Sequence, residues 1–120
     1  MSNCIFCKIV SGDIPSDKVL ENDKFIAFHD LNPKAPVHIL VIPKEHFQSF
    51  HEIPAETMKN MTPFIQEVAT KMGVEKSGYR LITNIGENGG QEVGHIHFHL
   101  FGGTKLKWEH LTDSDPKNLF

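Results

Sequence analysis

His95-Ile96-His97-Phe98-His99-Leu100-Phe101 sets three imidazoles at alternate positions, each followed by an apolar residue. Consecutive side chains of a strand point to opposite faces, so this spacing lines His95, His97 and His99 along one surface and packs Ile96, Phe98 and Leu100 on the other. The strand reads as far as Phe101, where Gly102-Gly103 ends it. Just upstream, Tyr79 to Asn84 reads as another strand, joined to the histidine strand through a glycine-rich loop at 86–90. Further back, Met58, Met61, Ile65, Val68, Ala69 and Met72 recur at spacings of three and four, which marks one apolar face of a long helix from Pro54 to Met72. Pro63 is expected to kink or divide that helix, because its ring clashes with the preceding turn and it has no N–H to donate. Gly73 is the expected stop.

The amino-terminal half reads in the same way. His38 to Pro43 is apolar and β-branched, as a buried central strand requires, and Asn32-Pro33-Lys34-Ala35-Pro36 before it is a loop. Lys18 to Glu21 and Phe25 to His29 form a hairpin across Asn22-Asp23. Cys4 to Val10 supplies one or two helical turns, stopped by Ser11-Gly12-Asp13 and Pro15. Five strands, one long helix and one short one give an α+β fold, an antiparallel sheet covered by helices.

The chain of 120 residues has room for a single domain, residues 1–120, with a polar tail from about 109 expected to be loosely held. No run approaches the ~18 apolar residues of a membrane span, so no membrane partner is expected. Met1-Ser2-Asn3-Cys4 lacks the basic region and apolar core of a secretory signal, which points to a reducing cytoplasm with Cys4 and Cys7 as thiols or ligands. A net charge of -3 without a dense Lys/Arg stripe argues against a nucleic-acid partner and leaves a single mononucleotide open.

The alternation of histidine and apolar residues resembles the signature of the histidine triad (HIT) family of nucleotide hydrolases and transferases. Further segments carry the likeness in order: Cys4-Ile5-Phe6-Cys7-Lys8-Ile9, Ile14-Pro15-Ser16, Ala27 to His38, Leu40-Val41-Ile42-Pro43-Lys44-Glu45-His46, and Asn84 followed by Gly89-Gly90-Gln91. The nearest likeness is to the compact nucleoside phosphoramidase branch. It implies a HIT-like fold whose sheets join across a homodimer, and a purine nucleotide substrate.

The resemblance also assigns roles. His97 is the nucleophile, forming a nucleotidyl-histidine and splitting one displacement into two, with its second nitrogen held by the His95 carbonyl. His99 contacts the phosphate and helps the departing group, and His38 supports the triad. Asn84, Gly90, Gln91 and Glu92 fall on the phosphate and leaving-group side, with glycine letting the backbone approach an anion. Ile5, Phe6, Ile9, Phe28, His29 and Leu31 enclose the base, and Asp30 takes the ribose hydroxyls. Glu92 stands where a serine is common in that branch, and Gly94 where an aromatic residue often precedes the triad. Trp108 lies at the distance of a carboxy-terminal residue that reaches a partner's site.

The spacing Cys4-x-x-Cys7 suits zinc, the alternative being a pair of reduced thiols. The resemblance adds His46 and His95 as the remaining ligands of a closed, structural Zn2+, with no cofactor for catalysis. Three activities fit the pattern: hydrolysis of purine nucleoside phosphoramidates, hydrolysis of dinucleoside polyphosphates, or nucleotide-dependent scaffolding with little turnover.

Overall fold

The structure, a computed structural model, describes residues 3–108 and 111–113. Its elements run α1 (Ile5–Ser11), β1 (Lys18–Glu21), β2 (Phe25–His29), β3 (Val37–Pro43), α2 (Ala55–Lys71), β4 (Arg80–Ile82) and β5 (Phe98–Gly102). The strands form one antiparallel sheet in the order β1-β2-β3-β5-β4. The fold is the α+β class with the antiparallel five-stranded sheet expected from the sequence, and β3 lies at its centre. Expectations about the tail beyond Trp108 fall mostly outside the described residues.

The two faces of the sheet bury different things. Ile39 and Val41 of β3 and Phe98 and Leu100 of β5 join Met61, Phe64, Ile65, Val68 and Ala69 of α2 in the main core. Leu40 and Ile42 face the other way, toward Phe6 and Ile9 of α1. Because Leu40 pairs with His99 and His38 with Phe101, the alternation that puts Leu100 in the core puts His38 and His99 on the α1 face. Period-two patterning thus decides where the imidazoles lie.

Pro63 does not divide α2, which runs unbroken from Ala55 to Lys71. Pro63 is on the exposed side, where the carbonyl it leaves unpaired reaches water. Gly73, at φ 75, ends the helix as expected: the Val74 N–H donates to the Ala69 carbonyl and the Gly73 N–H to the Thr70 carbonyl. β4 is shorter than the expected 79–84, and β5 begins only at Phe98. Register with β3 ends at Val41 opposite Phe98, and with β4 at Ile82 opposite His99. Residues 95–97 are instead held by the Ile96 N–H on the Phe47 carbonyl (2.8 Å) and the Thr83 hydroxyl on the His97 carbonyl (2.7 Å).

Candidate active site

His97 is nearly buried, and its Nδ1–H donates to the His95 carbonyl at 2.8 Å. That bond fixes the tautomer and leaves Nε2 with a free lone pair. The ring meets Phe6 edge-on at 5.0 Å and His99 at 5.1 Å. His95 is fully buried, its Nε2–H donates to the Pro43 carbonyl at 2.8 Å, and its Nδ1 is therefore bare.

A second chain of bonds orders His38 and His99. The Lys34 N–H donates to His38 Nδ1 at 3.1 Å, so the proton of neutral His38 sits on Nε2. That proton faces His99 Nδ1 at 2.9 Å and Asp30 Oδ2 at 3.4 Å. His99 accepts at Nδ1 and so presents an Nε2–H donor. Asp30, His38 and His99 lie close enough together to be metal ligands, but the Lys34 N–H opposes metal binding at His38 Nε2, since it keeps the proton there. The trio is a proton-sharing group.

Burial, with His97 and His38 close by, pushes His99 down to a pKa of about 4, and burial also lowers His38 and His95. For each, the unfolded chain at an ordinary 6.5 binds more protons than the folded one, so stability present above pH 6.5 is lost as pH falls toward the folded values. Thermal melts between pH 7 and pH 5 are expected to show falling stability, with a shallower fall for His99→Gln. Parallel curves for the two proteins contradict this origin.

A cavity of about 300 Å³ beside the triad is lined by Ile5, Phe6, Ile9, Phe28, His29, Asp30 and Leu31, every base-side and ribose-side residue expected from the sequence. Phe6, Ile9 and Phe28 are its buried walls. Leu31 is 91% exposed and forms only the rim, because an Asn32 N–H to Asp30 Oδ1 bond of 2.8 Å turns the chain outward after β2. Ser16 also lines this cavity, and among the described residues its hydroxyl is the buried side-chain polar atom without a hydrogen-bond partner. The sequence places Ser16 in the Ile14-Pro15-Ser16 segment of the likeness but assigns it no role.

The phosphate-side residues are less convergent. Gln91 spends its amide on backbone groups of its own loop and of the Gln48 segment: Nε2 donates to the Gln48 and Val93 carbonyls at 2.7 and 2.9 Å, and Oε1 accepts from the Gly86 N–H at 2.9 Å. It braces the glycine-rich turn, and its side-chain protons are not free for phosphate, contrary to the sequence expectation. Gly90 takes φ 81, and a Cβ on Gly89 would run into the Ile85 carbonyl, so both positions require glycine. Asn84 lines a separate cavity of about 700 Å³ with Lys34, Arg80, Phe101, Lys105 and Trp108. Glu92 borders a cleft beside Cys4 and His46 instead of the apolar cavity.

Cys4, Cys7, His46 and His95 converge, with their donor atoms within 4.8 Å of one another. Cys4 caps α1, its Sγ accepting the Cys7 N–H at 3.3 Å, and this turn brings both sulfurs to the same side. Cys7 Sγ lies 3.2 Å from His46 Nδ1 and 3.6 Å from His95 Nδ1, and Cys4 Sγ 3.3 Å from His95 Nδ1. Zinc bonds of about 2.0–2.3 Å at tetrahedral angles separate donor atoms by roughly 3.3–3.8 Å, so the set fits. Burial and the adjacent Cys4 push the Cys7 thiol up to about 11, the behaviour of a sulfur pair lacking positive charge.

Residues 11–106 match the HIT domain. The chain belongs to the HIT family. It is 54% identical over 101 residues to an uncharacterized HIT-like protein of Helicobacter pylori, covering 84% of this chain and 97% of that protein. Among solved structures, a histidine triad protein from Clostridium difficile superposes with a TM-score of 0.86 at 46% identity, covering 92% of this chain and 98% of that one. A HIT family hydrolase from Clostridium thermocellum gives 0.87 at 42%, covering 92% and 99%. Among the described residues of this HIT domain, no helix is long and apolar enough to cross a membrane.

Proposed function

We propose that this HIT protein hydrolyses purine nucleoside phosphoramidates through a covalent nucleotide on His97 and releases the nucleoside monophosphate. The observation that carries this is the His97 Nδ1–H bond to the His95 carbonyl, which leaves Nε2 with a lone pair on a ring that meets His99 and Phe6, the latter a wall of the apolar cavity. Nε2 attacks the α-phosphorus, and the P–N bond breaks with its electron pair going to nitrogen. His99 delivers a proton to that nitrogen through Nε2. It takes up this proton with the substrate, whose phosphate charge offsets burial, while the Asp30 carboxylate favours the charged form of the pair. Water then attacks phosphorus, the lone pair returns to Nε2 of His97, and the proton released by water restores His99.

Phe6, Ile9 and Phe28 hold the flat base, Asp30 accepts from the ribose, and the unpartnered Ser16 hydroxyl is available to a polar edge of the base. Cys4, Cys7, His46 and His95 hold a structural Zn2+ whose chemistry is confined to cross-linking α1 to the triad segment. The partner is a second copy of the chain, for which the open edge at β4 with half-exposed Leu81 and Ile82 is suited. A reducing cytoplasm keeps both sulfurs available as ligands.

A second reading has one observation in its favour. Lys34, Arg80, Lys105 and Lys107 surround the cavity that contains Asn84, a suitable lodging for the polyanionic leaving group of a dinucleoside polyphosphate. Turnover on an adenosine phosphoramidate and a diadenosine polyphosphate decides between them: the first substrate is expected to give the higher kcat/KM, and the reverse order favours the polyphosphate. His99→Ala is expected to lower kcat on the phosphoramidate by roughly 100-fold.

A further inference from the structure

We infer that Asp30 is a positioning residue for the proton donor as well as a ribose ligand, acting on His99 through His38 even when no sugar hydroxyl is present. This builds on the proposed nucleotide chemistry, and the geometry behind it is independent of substrate. Asp30 is itself fixed: Oδ1 accepts the Asn32 N–H at 2.8 Å, and its own N–H donates to the His38 carbonyl at 3.0 Å. Its remaining oxygen, Oδ2, therefore stands 3.4 Å from His38 Nε2. On the far side of His38, the Lys34 N–H closes Nδ1 to any proton.

The consequence is a three-membered line with one polarity. A carboxylate beside His38 Nε2 holds the ring in the plane that also serves His99 Nδ1 at 2.9 Å, and its charge favours added proton density on the pair. With Nδ1 of His99 supplied by His38, the other His99 nitrogen carries a proton toward the departing group. Removing the carboxylate frees His38 to tilt and lets His99 adopt the opposite tautomer, with a lone pair where a donor is needed. A residue that served only the ribose would have no such effect.

A substrate lacking both ribose hydroxyls separates the two roles. On a 2′,3′-dideoxyadenosine phosphoramidate, Asp30→Ala is expected to lower kcat a further tenfold or so relative to the wild type with little change in KM, the effect of about one lost hydrogen bond in the transition state. Equal kcat for the two proteins on this substrate overturns the inference. A second readout needs no turnover: imidazole 15N spectra of nucleotide-free wild type and Asp30→Asn. A changed tautomer signature at His99 in the variant supports the coupling, and an unchanged signature overturns it. If the wild type turns over no nucleotide, the proposed function falls, while the 15N comparison still decides the role of Asp30.

Discussion

Replacing His97 with alanine is expected to reduce turnover by about 10⁴-fold or more while nucleotide affinity stays within a few-fold, because the variant loses the attacking lone pair and keeps the pocket. The cavity walls at Phe6, Ile9 and Phe28 and the carboxylate of Asp30 do not depend on the His97 ring for their backbone placement, since they sit on α1, on β2 and just after β2. His99 remains tied to His38 from β3. Steady-state kinetics together with calorimetric titration of adenosine monophosphate check both halves. A variant that retains substantial hydrolysis removes His97 from the chemistry, and one that loses binding in proportion to rate makes His97 a ligand-holding residue instead.

The second large effect concerns the Cys4, Cys7, His46 and His95 cluster. It brings three distant parts of the chain together, and a structural zinc held there would contribute its binding energy to folding. Protein purified without a His tag is expected to contain about one zinc per chain, and chelation to lower the melting temperature by ~10 °C or more. Cys7→Ser is expected to give a similar loss, because a neutral hydroxyl replaces a soft thiolate ligand. The loss should extend to the triad, since the His95 ring joins the cluster while its carbonyl holds His97. Metal-free protein from a tag-free preparation, with Cys4→Ser and Cys7→Ser melting as the wild type does, leaves the two residues as ordinary thiols.

How far the sequence was legible depends on whether the information is local. The β1–β2 hairpin was readable to the residue because its turn carries its own signal: Asn22 Oδ1 accepts the N–H groups of Lys24 and Phe25 at 2.9 and 2.8 Å. The apolar stripe of α2 was readable from its period, except that it omitted Phe64, which packs against Phe25 at 5.5 Å. The limits of β4 and β5 were not readable, because they are set by partner strands and by the Thr83 hydroxyl on the His97 carbonyl. The proposed catalytic constellation was visible through the spacing of the triad and the family likeness. Its orientation was not, because the Lys34 N–H, the Pro43 carbonyl and the His95 carbonyl are backbone groups that no residue letter records. Gln91 shows the converse: residue type suggested an anion contact, whereas three bonds to the backbone at Gly86, Val93 and the distant Gln48 occupy the amide.

The covalent step can be observed directly. Wild-type protein mixed with an adenosine phosphoramidate, quenched within milliseconds at alkaline pH to preserve a phosphorus–nitrogen bond and digested, is expected to yield a peptide containing His97 with the added mass of one adenylyl group. Fragmentation should place that mass on His97, and the signal should decay as free adenosine monophosphate accumulates. An adduct on a different residue, or hydrolysis that proceeds in the His97→Ala protein, contradicts the role of His97 as the nucleophile.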